Sequence, residues 1–163
     1  MKDYDIQVFC VNTNEYIEID GGETLADVFD TISSRLQIKP ICARVNNKIE
    51  DLSYRLYGPK MIEFLDVVNP QGQPVYIHSL CMVMYKAIRD LHPGRRLRIE
   101  HSIAGGYYCR LKHEKEQVTP EDIAGIKERM KEIIAADMRF VRRERLTSDV
   151  IEIFRKQGLN DKV

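Results

Sequence analysis

His78 and Met82 stand four residues apart in a stretch that reads as helix, so their side chains fall one above the other on one face. An imidazole there could ligate a metal, accept a proton or hydrogen-bond a ligand. A thioether is a poor ligand for a hard or borderline divalent ion and cannot act as a base, so Met82 leaves the chemistry of this face to His78, flanked by Tyr85 and Arg89. A single histidine at a helix start is more often structural than functional. Further on stands Gly105-Gly106-Tyr107-Tyr108-Cys109. Adjacent glycines allow a ligand to approach the backbone closely, and they serve a tight strand connection equally well. Tyr107 and Tyr108 alternate across a strand, which predicts one facing the core and the other a pocket. Cys81 and Cys109 read more easily as small buried apolar residues than as nucleophiles. His101 and His113 could join His78 in a three-histidine site, but their spacing does not require it, and no metal site is expected.

Two dense basic clusters remain, Arg95-Arg96-Arg98 and Arg139-Arg142-Arg143-Arg145. They could meet RNA phosphates, although the interleaved Glu100 and Glu144 favour a solvated face. Lys plus Arg equals Asp plus Glu at 25 each in 163 residues, so no global field draws the molecule onto a polyanion, and any such contact must be local. Met1 to Asp5 is too acidic and polar for a signal peptide, and no apolar run approaches the roughly 20 residues that a bilayer span needs. Cys10, Cys42, Cys81 and Cys109 form no Cys-x-x-Cys pair, which suits reduced thiols. A soluble, cytoplasmic protein with no membrane partner is expected.

The elements that must position these groups fall into two sets. Ile6 to Val11 and Tyr16 to Ile19 read as a hairpin around Asn12-Thr13-Asn14. Thr24 with Asp27 marks a helix start, with Leu25, Val28, Phe29, Ile32 and Leu36 on one face. Strands follow at Ile41 to Val45, at Ile49 and at Met61 to Asp66, an order that predicts a ubiquitin-like β-grasp. Val68 to Pro74, with two prolines and a glycine, reads as a linker. A helix is predicted from about His78 to Leu91, burying Ile77, Cys81, Met84, Ile88 and Leu91, and a pair of strands at Leu97-Ile99 and Tyr107 to Leu111 packs against it. Thr119-Pro120-Glu121-Asp122 is a helix start, Met138 to Glu144 a further strand, and Thr147 the cap of a last helix ending at Gly158. The chain ends at Leu159 to Val163 without a strand or tail of its own and reads as a cut piece.

With these residues in order, the chain resembles known families. Ile6 to Asp66 resembles a TGS domain, the β-grasp module of threonyl-tRNA synthetases, certain GTPases and SpoT-type enzymes. His78-Ser79, Pro93, Gly105 to Tyr108, Thr119 to Asp122 and Ile126 to Met130 are similar, in the same order, to landmarks of the editing, or second additional, domain of threonyl-tRNA synthetases. The resemblance implies an α+β chain: a TGS-like β-grasp at 1–68, a linker at 69–75 and an incomplete editing-domain-like unit at 76–163. It also implies a ligand pocket of His78, Met82, Tyr85, Gly105, Gly106, Tyr107, Tyr108 and Cys109; from the basic clusters, Arg95, Arg96, Arg98, Arg142 and Arg143 are the candidate RNA contacts.

Two departures weigh on function. Met82 stands where editing members carry a second histidine, and Cys109 where they carry an acid; the family's Cys-x-x-x-His would lie beyond Val163. The chain is also similar to the region ahead of the P-loop kinase in certain uridine kinase-like proteins. The leading expectation is thus a non-catalytic regulatory or ligand- and RNA-binding module of such a kinase. No Gly-x-x-x-x-Gly-Lys-Ser/Thr occurs, so phosphoryl transfer would lie downstream. No cofactor is expected in this segment, and ATP with Mg only if a kinase follows. The expected partners are a downstream domain of the same polypeptide and an RNA, small nucleotide or amino-acid ligand. The alternatives are an aminoacyl-tRNA editing region of a threonyl-tRNA synthetase-like protein and a β-grasp platform for protein interaction.

Overall fold

The computed structural model describes residues 4–112 and 118–159, so His113 lies outside the described residues. Strand β1 (Asp5–Cys10) pairs antiparallel with β2 (Glu15–Asp20), and Asn14 takes the left-handed conformation (φ 56°) that asparagine tolerates in the turn between them. Period-two alternation buries Ile6, Val8, Cys10 and Ile19 on one face. Helix α1 (Leu25–Ile32) starts at a full capping box: the Asp27 N–H donates to Thr24 Oγ1 at 3.2 Å and the Thr24 N–H to Asp27 Oδ2 at 2.9 Å. Leu25, Val28 and Ile32 then share the buried face, as their spacing predicts.

Strands β3 (Cys42–Val45), β4 (Lys48–Glu50) and β5 (Met61–Leu65) complete a five-stranded sheet in the order β2-β1-β5-β3-β4. Its central pair, β1 and β5, is parallel, and the crossover that a parallel pair requires is supplied by α1 with the β3–β4 hairpin. Asn12 lengthens this seam, since its side chain donates to the Phe64 carbonyl at 3.0 Å and accepts from the Phe64 N–H at 2.7 Å. The rings of Phe29 and Phe64 meet edge to face at 5.2 Å between helix and sheet. This is the α+β β-grasp read from the sequence.

The stretch read as a linker is ordered as a turn. Asp66 Oδ1 accepts from the N–H groups of Val68 and Asn69, and a Cβ at Gly72 would stand 2.1 Å from the Asp66 carbonyl oxygen. Helix α2 (Gln73–Leu91) then begins five residues before the predicted start. Pro74 sits in the first turn, where its missing N–H would have had no intrahelical acceptor, so the proline opens the helix instead of blocking it.

Beyond α2 come β6 (Arg96–Ile103) and β7 (Gly106–Lys112), joined by Ala104 and Gly105 at φ 45° and 82°. Only Gly105 of the glycine pair forms the two-residue turn; Gly106 is already paired with Ile103. Helix α3 (Pro120–Ala135) opens at the Thr119–Asp122 capping box and packs on α2 through Ala87, Ile88 and Ile133, the buried apolar residues of this half among those described. Helix α4 (Thr147–Lys156) follows an irregular stretch.

Two local expectations are corrected here. Met138 to Glu144 forms no strand: Phe140 and Val141 are exposed, and a β-branched, aromatic stretch becomes a strand only where a neighbouring edge accepts its hydrogen bonds. Thr147 is the first helical residue and Leu146 occupies the cap position without a side-chain bond. The end is as read: Gly158 at φ 71° closes α4, with Leu159 N–H donating to the Phe154 carbonyl and Gly158 N–H to that of Arg155.

Candidate functional site

Helix α2 carries the candidate face across the second half of the molecule. A cavity of about 1070 Å³ opens between α2, the start of β6 and the end of α4, with Cys81, Met82, Tyr85 and Arg89 on one wall and Arg95, Arg96 and Arg98 on another. Two groups singled out separately in the sequence, Met82 with Tyr85 and the first arginine cluster, therefore meet in one space. His78 lies on the same helix, exposed and away from that lining. Gly105, Gly106, Tyr107 and Tyr108 stand outside it, at the turn end of the β6–β7 hairpin, and Cys109, paired with the lining residue Ile99, is outside the lining too.

The hairpin carries the separated residues. It is a two-stranded sheet among the described residues, and Tyr107 and Tyr108 are both exposed where one was expected in the core. Tyr108 rests instead beside His101, ring centroids 5.4 Å apart. Cys109 is exposed too, against the expectation of burial, with its Sγ donating to the Tyr107 carbonyl at 3.7 Å. Partial desolvation of the sulfur, and then the neighbouring Cys81, push the Cys109 thiol above its ordinary value, which disfavours the thiolate a nucleophile needs. No cluster of three or more His, Cys, Asp or Glu suited to a metal occurs among the described residues.

The first arginine cluster is largely structural. Arg95 Nη1 donates to Asp122 Oδ2 at 2.8 Å with only a tenth of its side chain exposed, and His92 Nε2 lies 3.6 Å from the other carboxylate oxygen. Asp122 also caps α3, so one carboxylate ties the end of α2 to the start of α3; the Arg95 guanidinium, then the Thr119 N–H, holds it below the usual carboxylate range. Arg96 Nη2 donates to the Gly158 carbonyl and fastens β6 to the end of α4. Arg98 is exposed on β6.

A second cavity, of about 880 Å³, lies on the other side of Met82 and Tyr85, between α2, α3 and residues 137–142. Ile134, Met138, Phe140 and Val141 give it apolar walls, and Arg89, Arg139 and Arg142 stand among them. Sequence reasoning placed Arg142 and Arg143 as RNA contacts but missed this groove, because Met138 to Glu144 was assigned to a strand. The available signal was an aromatic flanked by arginines. Arg89 and Tyr85, one turn apart on its α2 wall, are in contact, the guanidinium 5.9 Å from the ring centroid and donating to Tyr85 Oη at 3.3 Å. No helix among the described residues is long and apolar enough to cross a membrane.

No family model matches the chain. Curated relatives do. It is 35% identical over 136 residues, 83% of its length, to the threonine–tRNA ligase of Desulforamulus reducens, of which it covers 21%. It is 33% identical over 86% of its length to that of Syntrophomonas wolfei, covering 22% of it, and 33% identical over 82% of its length to that of Rubrobacter xylanophilus, covering 20%. These relatives correct the leading expectation from the sequence: they are threonine–tRNA ligases, which supports a threonyl-tRNA synthetase-like module in place of a regulatory module of a uridine kinase-like enzyme. Over more than four-fifths of its length the chain is similar to threonine–tRNA ligases, a threonyl-tRNA synthetase-like module that spans about a fifth of the length of the curated relatives it matches.

Proposed function

We propose that the chain is the aminoacyl-tRNA editing region of a threonyl-tRNA synthetase-like protein, acting on the ester that joins an amino acid to the end of a tRNA. The observation that carries the reading is the similarity to threonine–tRNA ligases at 33–35% identity over 82–86% of the chain, through both halves of the fold. The reaction is hydrolysis: water attacks the ester carbonyl carbon, the bond to the ribose oxygen breaks, and amino acid and free tRNA leave. Of the two helical positions, His78 is the one able to take the proton from that water, and its exposure on α2 leaves it accessible to so large a substrate. Met82 contributes apolar contact and no proton chemistry.

The test is release of the amino acid from a mischarged threonine tRNA. The chain is expected to accelerate release over buffer, and His78→Ala to lower the rate by about 10²–10⁴, the usual contribution of a positioned general base. A wild-type rate equal to that of buffer would refute the reading.

A second reading, a β-grasp surface for another protein, is favoured by the sheet face opposite α1. Phe9 and Tyr16 lie with ring centroids 5.1 Å apart there, and Tyr16 is 71% exposed.

A further inference from the structure

We propose that the chain binds a second copy of itself, the acidic outer face of the β1–β2 pair in one copy docking on the arginine face of the β6–β7 hairpin in the other, reciprocally about a two-fold axis. This rests on the reading of the β-grasp sheet as a surface for another protein, and it names that protein.

Charge is divided unequally along the chain. Residues 1–68 carry 12 Asp and Glu against 7 Lys and Arg, and residues 69–163 carry 13 against 18, so a net charge of zero conceals an acidic β-grasp and a basic helical half. Within the β-grasp the acids gather at the sheet edge. Strand β2 holds Glu15, Glu18 and Asp20 and no base, and Asp5 on β1 stands directly opposite Asp20. Phe9 pairs with Tyr16, Gln7 with Glu18 and Asp5 with Asp20, so these six side chains form three rows on the face opposite the buried Ile6, Val8 and Ile19. Asp5, Glu18 and Asp20 are all exposed in those rows, beside the exposed ring of Tyr16.

The basic half presents the complement. Arg98 stands directly opposite Arg110 in the β6–β7 register, so both project from one face while Leu97 and Leu111 share the other. Arg96, two residues along the same face, ties β6 to the Gly158 carbonyl and brings the end of α4 to this region, with exposed Arg155 and Lys156 in its last turn. Like charges directly opposite one another weaken a strand pair. Asp5 with Asp20 and Arg98 with Arg110 are both such pairs, and docking one on the other relieves both. Glu100 engages Arg110 at 3.3 Å, whereas Arg98, Asp5 and Asp20 take no ion pair among the described residues. Phe9 and Tyr16, in the next rows, offer ring faces on which guanidinium groups stack. Neither face suits a copy of itself, since acid would meet acid or arginine would meet arginine.

Size sets the strength. A two-stranded face of ordinary strand dimensions, about 20 Å by 10 Å, is small beside the roughly 800 Å² per partner of a standard interface, even when two reciprocal seams double it. The dimer is therefore weak and held largely by charge. Reciprocal seams close it, where a single seam would build open chains.

Sedimentation velocity of the whole chain, from low to high micromolar concentration, tests this. A monomer–dimer equilibrium is expected, its dissociation constant rising about tenfold or more between 0.1 and 1 M salt, as the Debye length falls from about 10 to about 3 Å. Arg98→Glu, and separately Asp5→Lys with Asp20→Lys, should each weaken the dimer about a hundredfold, and the three changes together should restore it. Arg110→Gln should weaken it as well. Lys131→Gln, which removes an exposed charge on α3, should leave it unchanged. Circular dichroism confirms that each variant, altered only at exposed positions, is folded.

A chain that stays monomeric at every concentration and salt overturns the second copy as partner and leaves the β-grasp face to a different protein. Failure of the combined variant to regain the dimer overturns the direct pairing of the acids with Arg98. A dimer that falls with Arg98→Glu but ignores both the acid reversals and Tyr16→Ala overturns the proposal and removes the β-grasp face with it. Species that keep growing with concentration overturn the closed, two-fold form.

Discussion

Asp122 is the residue on which the second half of the molecule turns. It accepts from the Thr119 N–H at 3.1 Å as part of the cap of α3, takes Arg95 at 2.8 Å, and faces His92, so the ends of two helices share one carboxylate. A carboxyl held below its ordinary value stabilises the fold fully above the unfolded value of about 4, and that contribution is lost as pH falls through the lower folded value. The melting temperature of the chain is therefore expected to drop below about pH 4 more steeply than that of Asp122→Asn, which starts lower at neutral pH and has less to lose; parallel curves would refute the assignment. Half of this arrangement was legible. The Thr119–Asp122 cap is a pattern within four residues, whereas Arg95 reaches an acid 27 residues on, a distance local spacing cannot reveal. Arg95 consequently looked like an RNA contact when it is a clasp.

At the scale of elements, sequence signals succeeded where the structure is local and failed where a second element decides. The β-grasp was readable because Thr24 with Asp27, the alternation of Ile6, Val8 and Cys10, and the asparagine turns each declare themselves within a few residues. Pro74 was misread because a proline blocks a helix interior and opens a helix start, and which applies depends on how the preceding turn packs. That turn hangs on Gly72. Any Cβ there meets the Asp66 carbonyl at 2.1 Å, so Gly72→Ala must move backbone at the junction of β5 and α2. A loss of about 1–3 kcal/mol in urea titration is expected, the range for overpacking in a tight site, against little change for Gly58→Ala, where a Cβ meets nothing within 4 Å. The candidate site followed the same division. His78, Met82 and Tyr85 were placed on one helix correctly, but the cavity is lined by α2, the start of β6 and the end of α4 and not by the glycines and tyrosines of the hairpin turn, a tertiary outcome that local spacing does not encode.

At the scale of the whole molecule, two unequal cores lie side by side. The first cluster is built wholly between Ile6 and Phe64, with Val8, Leu25, Val28 and Ile62 fully buried. In the second half, among the described residues, Ala87, Ile88 and Ile133 are the buried apolar side chains, while Leu91, Ile123 and Ile134 remain exposed. The distribution implies two units that unfold separately, the second first, since burial of apolar surface is the main favourable term in folding. Ile133→Ala removes a side chain packed against α2 and should cost about 2–4 kcal/mol, at the lower part of the usual range because so open a core can partly collapse around the loss. Its effect should fall on the earlier of two thermal transitions, followed by helical circular dichroism, and leave the later one in place, because distant sites with no shared contacts act additively. Phe64→Ala should do the reverse and lower the later transition, at about 3–5 kcal/mol. A single transition displaced by both substitutions would mean that the β-grasp and the helical unit fold as one, and the turn at Asp66 to Gly72 would then be the packed seam of one domain, not a boundary between two.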